Sequence, residues 1–212
     1  MGTAHQRTET NFWKKGVKMK RLCTLSFLVF WVVLTHLASA QPLEQTKEKA
    51  EKGDAAAQCS LGTLYAKGEG VAQDWAQAKT WFEKAAAQGD QQAQKNLGVM
   101  YLKGLGVTKD YAQAKSWFEK AAEKGNAAAQ FSLGFMYAQG EGVKQDWAEA
   151  KTWLEKAVAQ GDAKAQVCLG LMYAQGNGVK KDLAQAKSLL EKAAQQGQAE
   201  AKEILEKLEK AK

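Results

Sequence analysis

Four aspartates recur at one interval: Asp74, Asp110, Asp146 and Asp182 stand 36 residues apart. Carboxylates this regular could act as general acids or bases, but that work needs a nucleophile, an imidazole or a second carboxylate in a fixed relation. The sequence pairs them with nothing of the kind. Each is followed three residues on by Gln77, Gln113, Glu149 or Gln185, the pattern of a capping box that opens a helix. The glycine pairs Gly68-x-Gly70, Gly104-x-Gly106, Gly140-x-Gly142 and Gly176-x-Gly178 could suggest a phosphate-cradling loop. That motif needs a preceding strand and a third glycine; here the pair reads as a tight turn with positive φ. Trp75, Trp81, Trp117, Trp147 and Trp153 could stack on sugars, but at helical spacing they read as core.

The remaining reactive side chains lie in a segment of different chemistry. Lys14, Lys15, Lys18, Lys20 and Arg21 precede an apolar run from Leu22 to Leu37, and Ala38-Ser39-Ala40 follows. A basic region, an apolar stretch and small residues before a cut make a secretory signal peptide over residues 1–40; Met19-Lys20-Arg21 would open an ordinary one by itself. The alternative is an uncleaved anchor, because the run approaches the ~17–20 residues that span a bilayer. No cysteine follows Ala40 to take a lipid.

Cleavage changes the chemistry available. It removes six of the 30 Lys and Arg and one of the 23 Asp and Glu, so a net charge of +7 becomes 24 cations against 22 anions, or +2. Binding to nucleic acid loses its motive, and membrane insertion is not expected once the signal is gone. His5, His36, Arg7 and Arg21 leave with the segment, so the mature chain contains neither histidine nor arginine. It therefore lacks an imidazole base, the usual zinc ligand and bidentate phosphate grips. No catalytic residue, metal or cofactor is expected, and the chain reads as a non-enzyme. Cys59 and Cys168 remain, separated by three repeat units. Helices packed ~8–10 Å apart place them beyond disulfide reach, so both are expected as buried free thiols; an exposed Cys59 pairing between chains is the alternative.

The elements that hold these residues follow from the period. One 36-residue phrase is written four times without a gap, over 54–89, 90–125, 126–161 and 162–197. A fixed period of this size marks a solenoid, whose units cannot bury their apolar faces alone. Each unit reads as a first helix, a glycine turn, a second helix and a glycine stop. Asp54, Asp90, Asn126 and Asp162 cap the first helix; Ala57, Leu61, Leu64 and Tyr65 and their copies form its apolar face. Gly62, Gly98, Gly134 and Gly170 interrupt that helix at a cost of ~1 kcal/mol relative to Ala, which a close neighbouring helix would offset. Trp75, Ala78, Phe82 and Ala85 form the stripe of the second helix, and Gly89, Gly125, Gly161 and Gly197 end it.

The phrase A-x-x-x-L-G-x-x-Y-x-x-G-x-G-V-x-x-D-x-x-x-A-x-x-W-x-x-x-A-A-x-x-G resembles the Sel1-like repeat, a relative of the tetratricopeptide repeat. It departs from the pattern only at Leu189, in the place of a Trp, and Val158, in the place of an Ala. The resemblance implies an all-α fold, an α-solenoid of antiparallel helix pairs wound as a right-handed superhelix. Residues 41–53 are expected as an N-terminal capping segment and 198–212 as a C-terminal capping helix. In that helix Ile204, Leu205 and Leu208 turn inward, and Lys202, Glu203, Glu206, Lys207, Glu209 and Lys210 outward.

With Ala57, Leu61 and Tyr65 inward, 100° per residue puts Cys59, Thr63 and Ala66 on the opposite face. Their equivalents are Lys95, Val99 and Leu102, then Phe131, Phe135 and Ala138, then Val167, Leu171 and Ala174. This row varies between copies while the core positions hardly do, and it is largely apolar. The resemblance places this helix along the concave groove, which makes the row a binding strip for a protein or peptide partner, centred on Phe131 and Phe135. The opposing expectation is that packing between repeats buries part of it. The function expected is an exported scaffold, periplasmic or secreted, of open oligomeric state. The alternative is a cell-envelope enzyme or a peptidoglycan- or β-lactam-binding protein, as proposed for the family's cysteine-rich branch, whose paired cysteines this chain lacks.

Overall fold

The computed structural model describes residues 43–210. The expected signal peptide, with Cys23 and both histidines, lies outside the described residues. By contacts the chain divides into two units, Met1–Glu48 and Lys49–Lys212. Of the first, residues 43–48 are described and are helical, with Lys47 paired to Glu44 at 2.9 Å.

The second unit is all-α among the described residues. After helical residues 49–51 come α1 (Ala55–Lys67), α2 (Trp75–Ala87), α3 (Gln91–Lys103), α4 (Tyr111–Glu123), α5 (Ala127–Gln139), α6 (Trp147–Ala159), α7 (Ala163–Gln175), α8 (Leu183–Gln195) and α9 (Ala199–Lys210). Each packs on the next in sequence, and α5 also touches α7, as in a helical repeat solenoid. Apolar residues carry the packing: Leu61, Leu97 and Leu133 from first helices and Phe118, Leu154 and Leu190 from second helices are fully buried. Each such side chain contributes roughly 1.5–3 kcal/mol by burial.

Glycine sets how closely each pair packs. A Cβ on Gly62 would lie 2.7 Å from the Phe82 ring, and one on Gly98 would lie 2.6 Å from Phe118. On Gly134 it would meet Leu154 at 2.7 Å, and on Gly170 Leu190 at 3.0 Å. The close approach expected from the interrupted helix is therefore present. A second contact joins consecutive repeats. Gly106, at φ +66°, sits so near Trp75 that a Cβ would fall 2.3 Å from the Trp75 Cβ. Gly142 lies as closely on Tyr111, and Gly178 on Trp147. The turn glycine thus serves both the left-handed backbone and the stacking of one turn on the preceding helix.

The caps form a relay. Asp90 Oδ1 accepts from Ala93 N–H at 2.7 Å, while Asp90 N–H donates to Ala85 O at 3.1 Å and Gly89 N–H to Ala86 O at 2.9 Å. That double bond closes α2 as a Schellman motif, so one aspartate stops a helix and starts the next. Gly53 and Asp54 close residues 49–51 in the same way. Asp74 accepts from Ala76 and Gln77 N–H, but the reciprocal half of the expected capping box is absent. The Asp74 N–H donates instead to Tyr65 O at 2.9 Å, and Asp110, Asp146 and Asp182 repeat this with Tyr101, Tyr137 and Tyr173. The preceding helix end offers a fixed carbonyl, which leaves Gln77 free to face water.

Four glutamines lie in the core. Gln58, Gln94, Gln130 and Gln166 are only 4–5% exposed, and three of them donate to the end of the preceding second helix: Gln58 to Ala50 O, Gln94 to Ala86 O and Gln130 to Ala122 O. Buried amides must find partners on both sides. Gln88, Gln160 and Gln196 supply the second, donating to Gln58, Gln130 and Gln166 Oε1 at 2.8, 2.8 and 3.0 Å.

The tryptophans differ from the core reading: Trp75, Trp81, Trp117, Trp147 and Trp153 are half-buried. Lys84, Lys120 and Lys156 lie 3.9–4.1 Å over the rings of Trp81, Trp117 and Trp153, covering the face that packing leaves open. At the C-terminal end, α9 lays Ala201, Ile204, Leu205 and Leu208 against Leu190 and Ala193, with its expected charged residues exposed. Among the described residues no helix is long and apolar enough to cross a membrane.

Candidate functional site

Part of the variable row of the first helices borders an apolar cavity. Phe131, Phe135, Ala138, Val167 and Leu171 together line a cavity of about 350 Å³. Its floor is completed by Trp147, Leu154, Cys168 and Met172, and its polar lining includes Gln139, Lys164, Gln175, Gln198 and Glu200. The Phe131 and Phe135 rings stand 6.1 Å apart and tilted by 41°, within the range of a favourable aromatic pair. Phe135 and Leu183 are the large apolar side chains that remain exposed among the described residues, at 36% and 45%.

The other expected residues divide differently. Thr63, Lys95, Val99 and Leu102 are half-buried and do not line this cavity. The Thr63 hydroxyl donates to Cys59 O at 3.0 Å and is thus used within its own helix. Val99 and Leu102 pack on the core of the second and third repeats. Ala138 and Val167, expected on an exposed strip, are buried, as are Cys59 and Ala174. Val167 is covered because Leu190, Ala193 and Ala201 close over it. Packing between repeats therefore takes part of the row, and the remainder is a pocket in repeats three and four rather than a continuous strip.

Cys168 and Trp147 join the floor without having been expected there. Cys168 follows Val167 by one residue, 100° around α7, and its equivalents Ser60, Asn96 and Ser132 are polar; expected as a buried thiol, it is only half-buried because it stands at the cavity wall. Both cysteines are free, Cys59 buried and Cys168 half-buried. Burial foremost, then the charges of Glu200 and Asp162, pushes the Cys168 thiol up to about 11. Burial, then Asp90, pushes Cys59 up to about 12. Neither thiol is a ready nucleophile. Lys95 is held below the ordinary ammonium range by burial. Among the described residues no group of three His, Cys, Asp or Glu is placed to hold a metal.

These features have known counterparts. No curated protein matches the chain, but solved structures do. One is a protective antigen present in uropathogenic Escherichia coli strains displaying an SLR fold, at 45% identity and a TM-score of 0.72, covering 75% of this chain and 34% of that one. A Sel1 repeat protein from Oxalobacter formigenes matches at 41% identity and a TM-score of 0.70, covering 73% of this chain and 63% of that one. A Sel1 repeat protein from Klebsiella pneumoniae matches at 29% identity and 0.56, covering 72% and 73%. The chain thus spans about a third of the length of the first and under two thirds of the second. The model of the Sel1 repeat matches residues 55–90, 91–126, 127–162 and 163–198 in unbroken succession. With the helix pairs, the glycine approaches and the capping relay all following that period, the chain belongs to the Sel1 repeat family.

Proposed function

We propose that this protein is an exported, non-enzymatic scaffold that holds a segment of a protein or peptide in the groove formed by the first helices of repeats three and four. The observation that carries the reading is the cavity itself. It gathers five residues of the one row that varies between otherwise matching copies, and it leaves Phe135 open. Its volume suits one or two large side chains, and its aromatic floor with a polar margin has the composition of a recognition site. Export rests on the segment over residues 1–40; that an Escherichia coli relative is a protective antigen supports it. No observation favours the envelope-enzyme alternative, since the two cysteines are free and distant in sequence.

The test is capture of partners from extracts of the producing organism by the wild-type chain and by a Phe131→Ser, Phe135→Ser variant of unchanged helicity. A saturable partner whose binding falls at least tenfold in the variant is expected; binding that survives intact rejects the groove. Fractionation of the producing cells checks export, which requires a product shortened by the first 40 residues.

A further inference from the structure

The cations of this fold are distributed unevenly, and the distribution points to the chemistry of the occupant. The first helices α1, α3, α5 and α7 carry Lys67, Lys95, Lys103 and Lys164 and no aspartate or glutamate. In the second helices every lysine but Lys192 is already engaged. Lys79, Lys115, Lys151 and Lys187 each face a glutamate one turn on, and Lys84, Lys120 and Lys156 lie over tryptophan rings. On the groove side Lys67 meets Glu69 at 3.4 Å. Lys95, Lys103 and Lys164 have no carboxylate within ion-pair distance among the described residues.

Lys95 stands out among these three. It occupies the place that Phe131 holds one repeat later, is the one charged residue in the variable row, and is half-buried. Burial lowers its proton affinity, the mark of an ammonium stripped of water without a counter-charge. Lys164 lines the cavity from α7. The one anion of the cavity, Glu200, stands on α9 beside Cys168, whereas Lys95 stands on α3.

Resting on the groove reading above, we propose that the occupant is a linear acidic peptide segment, with one bulky apolar side chain seated between Phe135 and Leu171 and an Asp or Glu carboxylate on Lys95. Glu200 repels that carboxylate from the α9 end and so sets the direction of the chain. Packed helices are ~8–10 Å apart, and an extended chain advances ~3.3 Å per residue. Lys95 stands on α3 and the anchor lies between α5 and α7, about one and a half such spacings away, so the carboxylate falls about four residues from the apolar anchor.

The experiment uses four fluorescein-labelled ten-residue peptides, titrated against the full chain at near-physiological salt and read by anisotropy. One carries a leucine anchor with glutamate four residues away; the others replace that glutamate by glutamine, replace it by lysine, or keep it and replace the leucine by serine. The glutamate peptide is expected to bind at least about tenfold tighter than each of the others. Lys95→Met, which keeps the apolar stem, abolishes the preference for glutamate over glutamine and leaves the glutamine peptide unaffected. Lys95→Glu reverses the preference toward the lysine peptide.

Equal affinity for glutamate and glutamine peptides, both weakened by Phe135→Ser, overturns the acidic partner and leaves the groove in place. Binding indifferent to Phe135→Ser rejects the groove and this proposal with it. A serine-substituted peptide that binds as well as the anchored one reduces the effect to bare charge and overturns the proposal, as does the absence of binding by any peptide.

Discussion

Gln160 and Lys124 occupy the same place in consecutive repeats and treat the core differently. Gln160 donates its amide to the buried Oε1 of Gln130 at 2.8 Å. Lys124 turns away to Gly89 O at 2.7 Å, and Gln94 Oε1 is left buried without a hydrogen-bond partner. The second repeat therefore carries a flaw that its neighbours lack, at the junction where α3 meets the end of α2. An unpaired buried acceptor costs about 1–3 kcal/mol.

Lys124→Gln should remove that cost. The new amide reaches Gln94 Oε1 as Gln160 reaches Gln130, and the gain expected is about 1 kcal/mol. Stability in such arrays is a sum of local and neighbour terms, so amide exchange should slow most in α3 and α4, which the new bond joins. The reverse change, Gln160→Lys, should loosen α5 and α6 by a similar amount. Unaltered exchange in both variants would refute the assignment.

The helix glycines offer a ranked series. Ala is the better helix former by about 1 kcal/mol, yet at Gly98 the new methyl meets the Phe118 ring at 2.6 Å, at Gly134 Leu154 at 2.7 Å, and at Gly170 Leu190 at 3.0 Å. Overpacking costs typically about 1–3 kcal/mol. Gly98→Ala and Gly134→Ala should lower the melting temperature, and Gly170→Ala should come closest to neutral because its nearest neighbour, Leu190, lies farther away at 3.0 Å. Stabilisation at all three positions would show that propensity rather than close approach governs them.

Much of this was legible in the period. The helix pairs, the cap residues and the close glycine follow from residues that repeat at one spacing, and the free cysteines from their standing three repeats apart. What escaped reading was polar or relational. Gln58, Gln94, Gln130 and Gln166 are identical in all four copies, a sign of constraint, but their polarity masked their burial, because burial there depends on partners 30 residues away. The reciprocal half of the capping box was misplaced because the competing acceptor, Tyr65 O, becomes available only when α1 and α2 fold together. The row was read too evenly, since helical spacing gives direction but not how far α8 and α9 close over Val167, nor that Ala138 is buried.

The recurrent aspartates can be tested as caps. Asp110 Oδ1 accepts from Ala112 and Gln113 N–H at 2.9 and 3.0 Å. Asp110→Ala should destabilise by about 1 kcal/mol, whereas Asp110→Asn, which retains the acceptor, should cost little. Equal losses for both would point to a role for the negative charge itself.

Cys168 provides a probe of the cavity. Its thiol is pushed up to about 11, by burial first and then by Glu200 and Asp162. An unfolded cysteine titrates near ~8.5. The sign follows directly: the neutral thiol is favoured in the folded state, so its contribution to stability is complete below the unfolded value. It is then lost as pH rises toward 11. Melting temperature should fall across that window in the wild type and less in Cys168→Ser. Alkylation by iodoacetamide, mapped to each cysteine by mass spectrometry, should be slow at pH 8, where only about one thiol in a thousand is ionised, and should climb about tenfold per pH unit. Cys59, pushed up to about 12 and buried, should react more slowly still. A peptide seated against Phe135 and Leu171 covers Cys168 and leaves Cys59 as it was, so saturating glutamate peptide should slow alkylation at Cys168 alone. Equal rates with and without peptide would place the ligand elsewhere on the solenoid.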